Sequence, residues 1–98
     1  MEIEFADKML AMIETESAGE TRLPVAVIKA ARRKLTVLRS APDDRALRNW
    51  KSLHYEKLKG DKLGLRSIRV NKKYRMVFEL DSETEPQQAT ILAIEDYH

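Results

Sequence analysis

Apolar side chains in the first forty residues follow mainly helical spacing. A short alternation with Ile3 and Phe5 on one face first predicts an opening strand over 1–5. Residues 6–16 then carry apolar side chains at helical spacing, which predicts a first helix. The clearest prediction is a second helix over about 24–40, whose apolar stripe is formed by Ile28, Ala31, Leu35 and Leu38.

In the second half the period changes to two. A break at 41–44 offers an aspartate N-cap for a short third helical turn through 47–50. Strands are then predicted over Leu65–Val70, Tyr74–Leu80 and Ala89–Asp96. The first link is short enough for a hairpin, which favours an antiparallel meander. The pattern predicts one α+β domain over 1–98, with an opening strand and helices followed by an antiparallel sheet of three to four strands.

Strand periodicity also predicts which side chains share a face. In the second predicted strand the apolar residues alternate toward the helices, so Arg75 is expected on the open face. Arg69 of the preceding strand is expected on the same face. In the last strand Leu92 and Ile94 are expected to point inward, which gives Glu95 the open face.

Charge is unevenly distributed along the chain. Residues 21–80 carry 17 basic and five acidic side chains, a net +12, whereas each end carries −5. A basic middle is either a solvated surface or the electrostatic footprint of a protein that binds a phosphate backbone. The chain has no cysteine, and its start resembles no signal peptide, so we expect a cytoplasmic protein without a disulfide or a membrane segment.

The last residues of the sequence combine groups suited to acid–base chemistry. Asp96, Tyr97 and His98 place a carboxylate, a phenol and an imidazole on consecutive positions. His54, in a lysine-rich segment before the predicted sheet, is the second titratable imidazole.

Four short motifs in a fixed order carry a family resemblance. They are Leu58-Lys59-Gly60-Asp61, Ser67-Ile68-Arg69-Val70-Asn71, Tyr74-Arg75 with its apolar strand, and Glu95-Asp96-Tyr97-His98. In this order the motifs resemble HigB toxins of the RelE-like superfamily. The resemblance implies a RelE-like fold and a metal-independent endoribonuclease without a cofactor, which cuts mRNA in the ribosomal A site. It also implies neutralisation by a HigA-like helix-turn-helix antitoxin, whose complex with the toxin binds operator DNA.

The resemblance further implies roles for individual residues. His98 and Tyr97 would transfer or orient protons, Asp96 would fix them, and Lys59 and Arg75 would stabilise negative charge. His54 is a candidate acid or base, although its spacing to Lys59 is longer than is usual in the family. The remaining cations are implied to contact RNA, namely Lys57, Lys62, Arg69, Lys72 and Lys73. Lys57 is also an alternative for the lysine role, and the Lys-Gly-Asp register favours Lys59.

Two other classes of protein stay open from the sequence. One is a catalytically inactive RelE-fold binding module that acts with its antitoxin on operator DNA. The other is a small metal-dependent hydrolase that uses Asp96, His98, the terminal carboxylate and His54.

Overall fold

The computed structural model describes residues 1–58 and 64–96. In chain order its elements are β1 (Glu2–Phe5), α1 (Lys8–Ala11), α2 (Val25–Ser40), α3 (Asp44–Asn49), β2 (Glu56–Lys57), β3 (Leu65–Arg69), β4 (Tyr74–Asp81) and β5 (Gln88–Asp96). Short 3₁₀ turns occupy Met12–Glu14, Ala18–Thr21 and Lys51–Leu53. None of the helices in the described ranges has the length and hydrophobicity needed to cross a bilayer.

The long helix α2 forms where the periodicity predicts it. Its apolar stripe is buried, with Leu35 and Leu38 fully enclosed. The helix ends at Ser40 because Ala41 precedes a proline and is held in an extended conformation. The Met1 amino group donates hydrogen bonds to the carbonyls of Leu38 and Ala41, and its positive charge suits the end of a helix.

The helix predicted over 6–16 is shorter and less regular than expected. Only one α-helical turn forms, capped by the Asp7 side chain, and a 3₁₀ turn follows it. Ile13 is fully buried, whereas Met9 is half exposed. One buried apolar residue in this segment is too few to stabilise a longer amphipathic helix.

One mixed sheet contains all five strands of the described residues, in the order β1-β5-β4-β3-β2. The pairs β2–β3, β3–β4 and β4–β5 are antiparallel, which confirms the predicted meander, and β1 pairs with β5 in parallel. The helices cover one face of this sheet, where Ile68, Met76 and Phe78 are fully buried. The opposite face carries Arg75.

A register shift in β5 changes the predicted facing of one residue. Val77 pairs with Ala93, but Phe78 pairs with Ile91, so Leu92 is the extra residue of a β-bulge. Ile91 and Ile94 therefore both face the core, and the inward prediction for Leu92 was wrong. The bulge restores the alternation in time for Glu95 to share the face of Arg75, as predicted.

Candidate functional site

The Arg75 guanidinium is the centre of the candidate site. Its Nε donates to the Ser67 hydroxyl at 3.1 Å, and its Nη2 donates to the same oxygen at 2.8 Å. Nη2 also donates to the backbone carbonyl of His54 at 2.9 Å and lies 2.9 Å from the Glu56 carboxylate. Only 6% of Arg75 is exposed. Arg75 is therefore on the predicted face but is buried there, because the segment carrying His54 and Glu56 covers it.

Strand register explains why these groups meet. Glu56 of β2 is paired with Ser67 of β3, so their side chains point to the same face of the sheet. On the adjoining row Arg75 is paired with Arg69 on one side and with Glu95 on the other. The Glu56 carboxylate thus contacts the Arg75 guanidinium, and Arg69 and Glu95 are the cross-strand neighbours of Arg75.

His54 enters the site through its backbone. It follows the 3₁₀ turn Lys51–Leu53 and has a left-handed conformation, with φ 49° and ψ 46°. Histidine is one of the residue types that tolerate this region better than most. The turn directs the His54 carbonyl at Arg75, while the imidazole side of the residue is exposed.

Tyr55 anchors the segment that carries His54 and Glu56. Its hydroxyl donates to the Asp44 carboxylate at 3.2 Å and accepts from Arg66 Nε at 3.0 Å. Its ring stacks on Phe78 with centroids 6.4 Å apart. Burial, followed by the nearby Asp44 charge, raises the pKa of Tyr55 and keeps the phenol neutral near neutral pH. The segment is thereby tied both to α3 and to the core.

The site opens into a concave groove. Its lining consists of Glu56, Leu58, Ser67, Arg75, Val77, Glu95 and Asp96. Of the residues singled out from the sequence, Arg75 and Asp96 share this groove, and Arg69 lies beside it on the register row of Arg75. An anion that reaches Arg75 has to compete with Glu56, which is 51% exposed and has room to turn toward solvent.

The other predicted cations are placed differently. Lys72 and Lys73 are exposed on the hairpin between β3 and β4, next to Arg69. The Asn71 side chain accepts hydrogen bonds from the backbone N–H groups of Lys73 and Tyr74, which fixes this turn. Lys57 is paired with Arg66, so its side chain starts on the face opposite to Glu56. Lys59, Lys62, Tyr97 and His98 lie outside the described residues.

Metal coordination was a third possibility from the sequence. Within 1–58 and 64–96, no three histidine or acidic side chains are grouped as potential metal ligands. The set considered from the sequence includes His98, which lies outside those ranges.

Glu56, Ser67 and Glu95 belong to the site, but the sequence assigned none of them a chemical role. Parity offered a signal for Ser67, since it alternates with Arg69 along one strand. Glu56 had no such signal, because a strand of two residues has no recognisable period.

A family model and a known toxin both match most of this chain. Residues 3–98 match the family described as the RelE-like toxin of the type II toxin–antitoxin system HigB. Toxin HigB-1 of Vibrio cholerae serotype O1 is 35% identical over 79 residues, which cover 81% of this chain and 83% of that protein.

Two solved structures share the fold. The YoeB/ParE toxin from Agrobacterium tumefaciens superimposes with a TM-score of 0.55 at 14% identity, covering 100% of both chains. A chain of the YoeB-YefM complex from Staphylococcus aureus gives 0.62 at 18% identity, covering 100% of this chain and 97% of that one. Fold and sequence together place this chain in the family of HigB-like, RelE-like toxins of type II toxin–antitoxin systems.

Proposed function

We propose that this toxin is a ribosome-dependent mRNA endonuclease that arrests growth. The observation that carries the proposal is the Arg75 guanidinium, which is fixed in a groove on the open face of the sheet. Arg69 and the hairpin lysines lie toward one end of this face. A fixed guanidinium with further cations nearby suits a phosphodiester and its neighbouring phosphates.

The proposed reaction needs no external nucleophile. The 2′-hydroxyl oxygen of one nucleotide attacks the adjacent phosphorus while a base removes its proton. The bond from phosphorus to the 5′-oxygen breaks as an acid protonates that oxygen. The products are a 2′,3′-cyclic phosphate and a 5′-hydroxyl end. Arg75 would stabilise the extra negative charge on the phosphorane oxygens, where fixed donors are most effective.

Proton transfer is assigned to a set of candidates. Asp96 lines the groove, and the exposed imidazole of His54 belongs to the segment that covers Arg75. With them we propose Lys59, Tyr97 and His98, on the basis of the family motifs. The mechanism as proposed is metal-independent and uses no cofactor.

RNA is proposed to approach along the cationic side of this face. Arg69 would bind the phosphate adjoining the scissile one, because it is the cross-strand partner of Arg75. Lys72 and Lys73 would contact mRNA or ribosomal RNA from the hairpin. Lys57 and Lys62 are proposed as further contacts.

We propose a HigA-like helix-turn-helix antitoxin as the partner that neutralises the toxin. The family description supports an antitoxin, since the matched family belongs to type II toxin–antitoxin systems. The complex would bind operator DNA through the antitoxin. Because the proposed substrate is mRNA on the ribosome, we place the activity in the cytoplasm, in one domain over 1–98.

Primer extension on ribosomes programmed with a defined mRNA tests this proposal. New 5′ ends are expected with the parent toxin and with Arg39→Ala, whose side chain on α2 bonds Glu14 and does not line the groove. Ends are expected to be lost with Arg75→Ala. A chelator selective for transition metals, at constant magnesium, should leave cleavage unchanged.

Binding of the toxin to ribosomes without new ends would instead support the inactive binding module. Loss of cleavage on chelation would support the metal-dependent hydrolase. Equal cleavage by Arg75→Ala and the parent would refute the proposed site.

A further inference from the structure

Among the residues that the structure describes, Ser67 is the most deeply buried polar residue of the candidate site. Only 1% of Ser67 is exposed. Its oxygen receives two hydrogen bonds from one edge of the Arg75 guanidinium, at 3.1 Å from Nε and 2.8 Å from Nη2. A buried serine oxygen that accepts two hydrogen bonds from the same charged group holds that group in a defined orientation.

The Ser67 oxygen sets the orientation of the whole guanidinium plane. Because the group is planar and rigid, two bonds along its Nε–Nη2 edge, together with the bond to the His54 carbonyl, leave its plane little freedom to rotate. The Glu56 carboxylate lies 2.9 Å from Nη2 and attracts the guanidinium toward the exposed side of the site. Without the serine oxygen, the buried N–H groups would turn toward this carboxylate to regain an acceptor.

We infer that Ser67 is a positioning residue for the toxin's reaction. It holds the Arg75 guanidinium in its observed orientation, although the Glu56 carboxylate attracts that group. This inference rests on the proposed function, because it assigns Arg75 to the transition state. It predicts that Ser67 affects the rate of the chemical step and not the binding of the ribosome. It also predicts that the effect of Ser67 depends on an arginine at position 75.

Single-turnover cleavage in a double-mutant cycle tests the inference. Ser67→Ala is expected to lower the rate constant by about 10- to 100-fold, as small misplacements of reacting groups do, with unchanged ribosome affinity. Ser67→Thr keeps the hydroxyl and should recover most of the rate. In an Arg75→Lys background the same Ser67→Ala change should cost less than about threefold, because interaction partners are non-additive.

Thr90→Ala is the matched control. It also removes a hydroxyl from a strand, but Thr90 pairs with Glu79, further along β4 than Arg75. This variant should cleave at the parent rate. An equal loss from Ser67→Ala in both position-75 backgrounds would overturn the inference, as would an undiminished rate.

Nitrogen NMR of the Arg75 side chain tests whether Ser67 holds the guanidinium, without relying on activity. The Nε–H proton should exchange slowly in the parent and about tenfold faster in Ser67→Ala, since roughly one hydrogen bond is lost. Unchanged exchange would overturn the inference. If the parent toxin cleaves no RNA, the proposed function fails and the inferred role in the reaction fails with it. The exchange comparison would still decide whether Ser67 holds the Arg75 guanidinium.

Discussion

Replacing Arg75 with lysine keeps the positive charge and removes the fork that holds it in place. The guanidinium uses two nitrogens to reach the Ser67 oxygen and also reaches the His54 carbonyl. A lysine ammonium is a point donor at the end of a flexible chain and cannot reproduce that edge. About two hydrogen bonds from a charged donor are lost, and a buried serine oxygen is left poorly satisfied.

The loss can be expressed as stability and as rate. Each bond to a charged group contributes roughly 1.5–3 kcal/mol, and lysine regains part of this, so we expect a net loss of about 2 kcal/mol. For a domain of this size such a loss lowers the melting temperature by roughly 8–16 °C. The cleavage rate should fall about 10²- to 10³-fold, the cost of removing one fixed donor from a transition state.

Urea unfolding followed by circular dichroism measures the first quantity, and single-turnover cleavage on programmed ribosomes measures the second. Arg39→Lys is the matched control, because Arg39 also bonds through two guanidinium nitrogens, to Glu14, and does not line the groove. That variant should cleave at the parent rate. Parent-like cleavage by folded Arg75→Lys would refute the reasoning, because a loosely held charge would then be enough.

Further predictions concern the scaffold and RNA contacts. Tyr55→Phe should reduce the free energy of unfolding by about 1–2 kcal/mol in urea titrations, because it removes the bond to Asp44. The Arg39 guanidinium, which bonds Glu14, lowers the Glu14 pKa, so this ion pair stabilises the fold above about pH 4.5 and is lost as the pH falls through the lowered pKa. Glu14→Gln should therefore reduce the melting temperature at pH 7, and the difference from the parent should shrink as the pH falls below 4.5; a constant difference would contradict this. Joint replacement of Lys72 and Lys73 by alanine should weaken ribosome binding and flatten its salt dependence in filter-binding assays, with an unchanged slope arguing against RNA contact.

The sequence predicted the elements in which apolar and polar residues alternate with a regular period over a long segment. Helix α2 and the meander follow from long runs of regular period, and the parity of β4 correctly separated Arg75 from its apolar neighbours. The bulge at Leu92 was not predictable, since it depends on how β5 matches the twist and register of β4.

The burial of Arg75 also could not be predicted from the sequence. Strand parity assigns a face but does not reveal what covers it, and here the covering segment is the short strand β2 with the turn before it. The contact of Arg75 with the His54 carbonyl spans 21 residues and depends on a left-handed backbone. Contacts of this kind leave no local pattern of side chains.

The chemistry of the RNA ends made in cells tests the central claim most directly. After brief induction of the parent toxin and of Arg75→Ala at equal abundance, mRNA ends are sequenced with and without prior 5′ phosphorylation. The parent should create new internal ends that require phosphorylation for ligation, as 5′-hydroxyl products do, and Arg75→Ala should create none. Growth arrest without new ends, or the same ends from both proteins, would contradict the account.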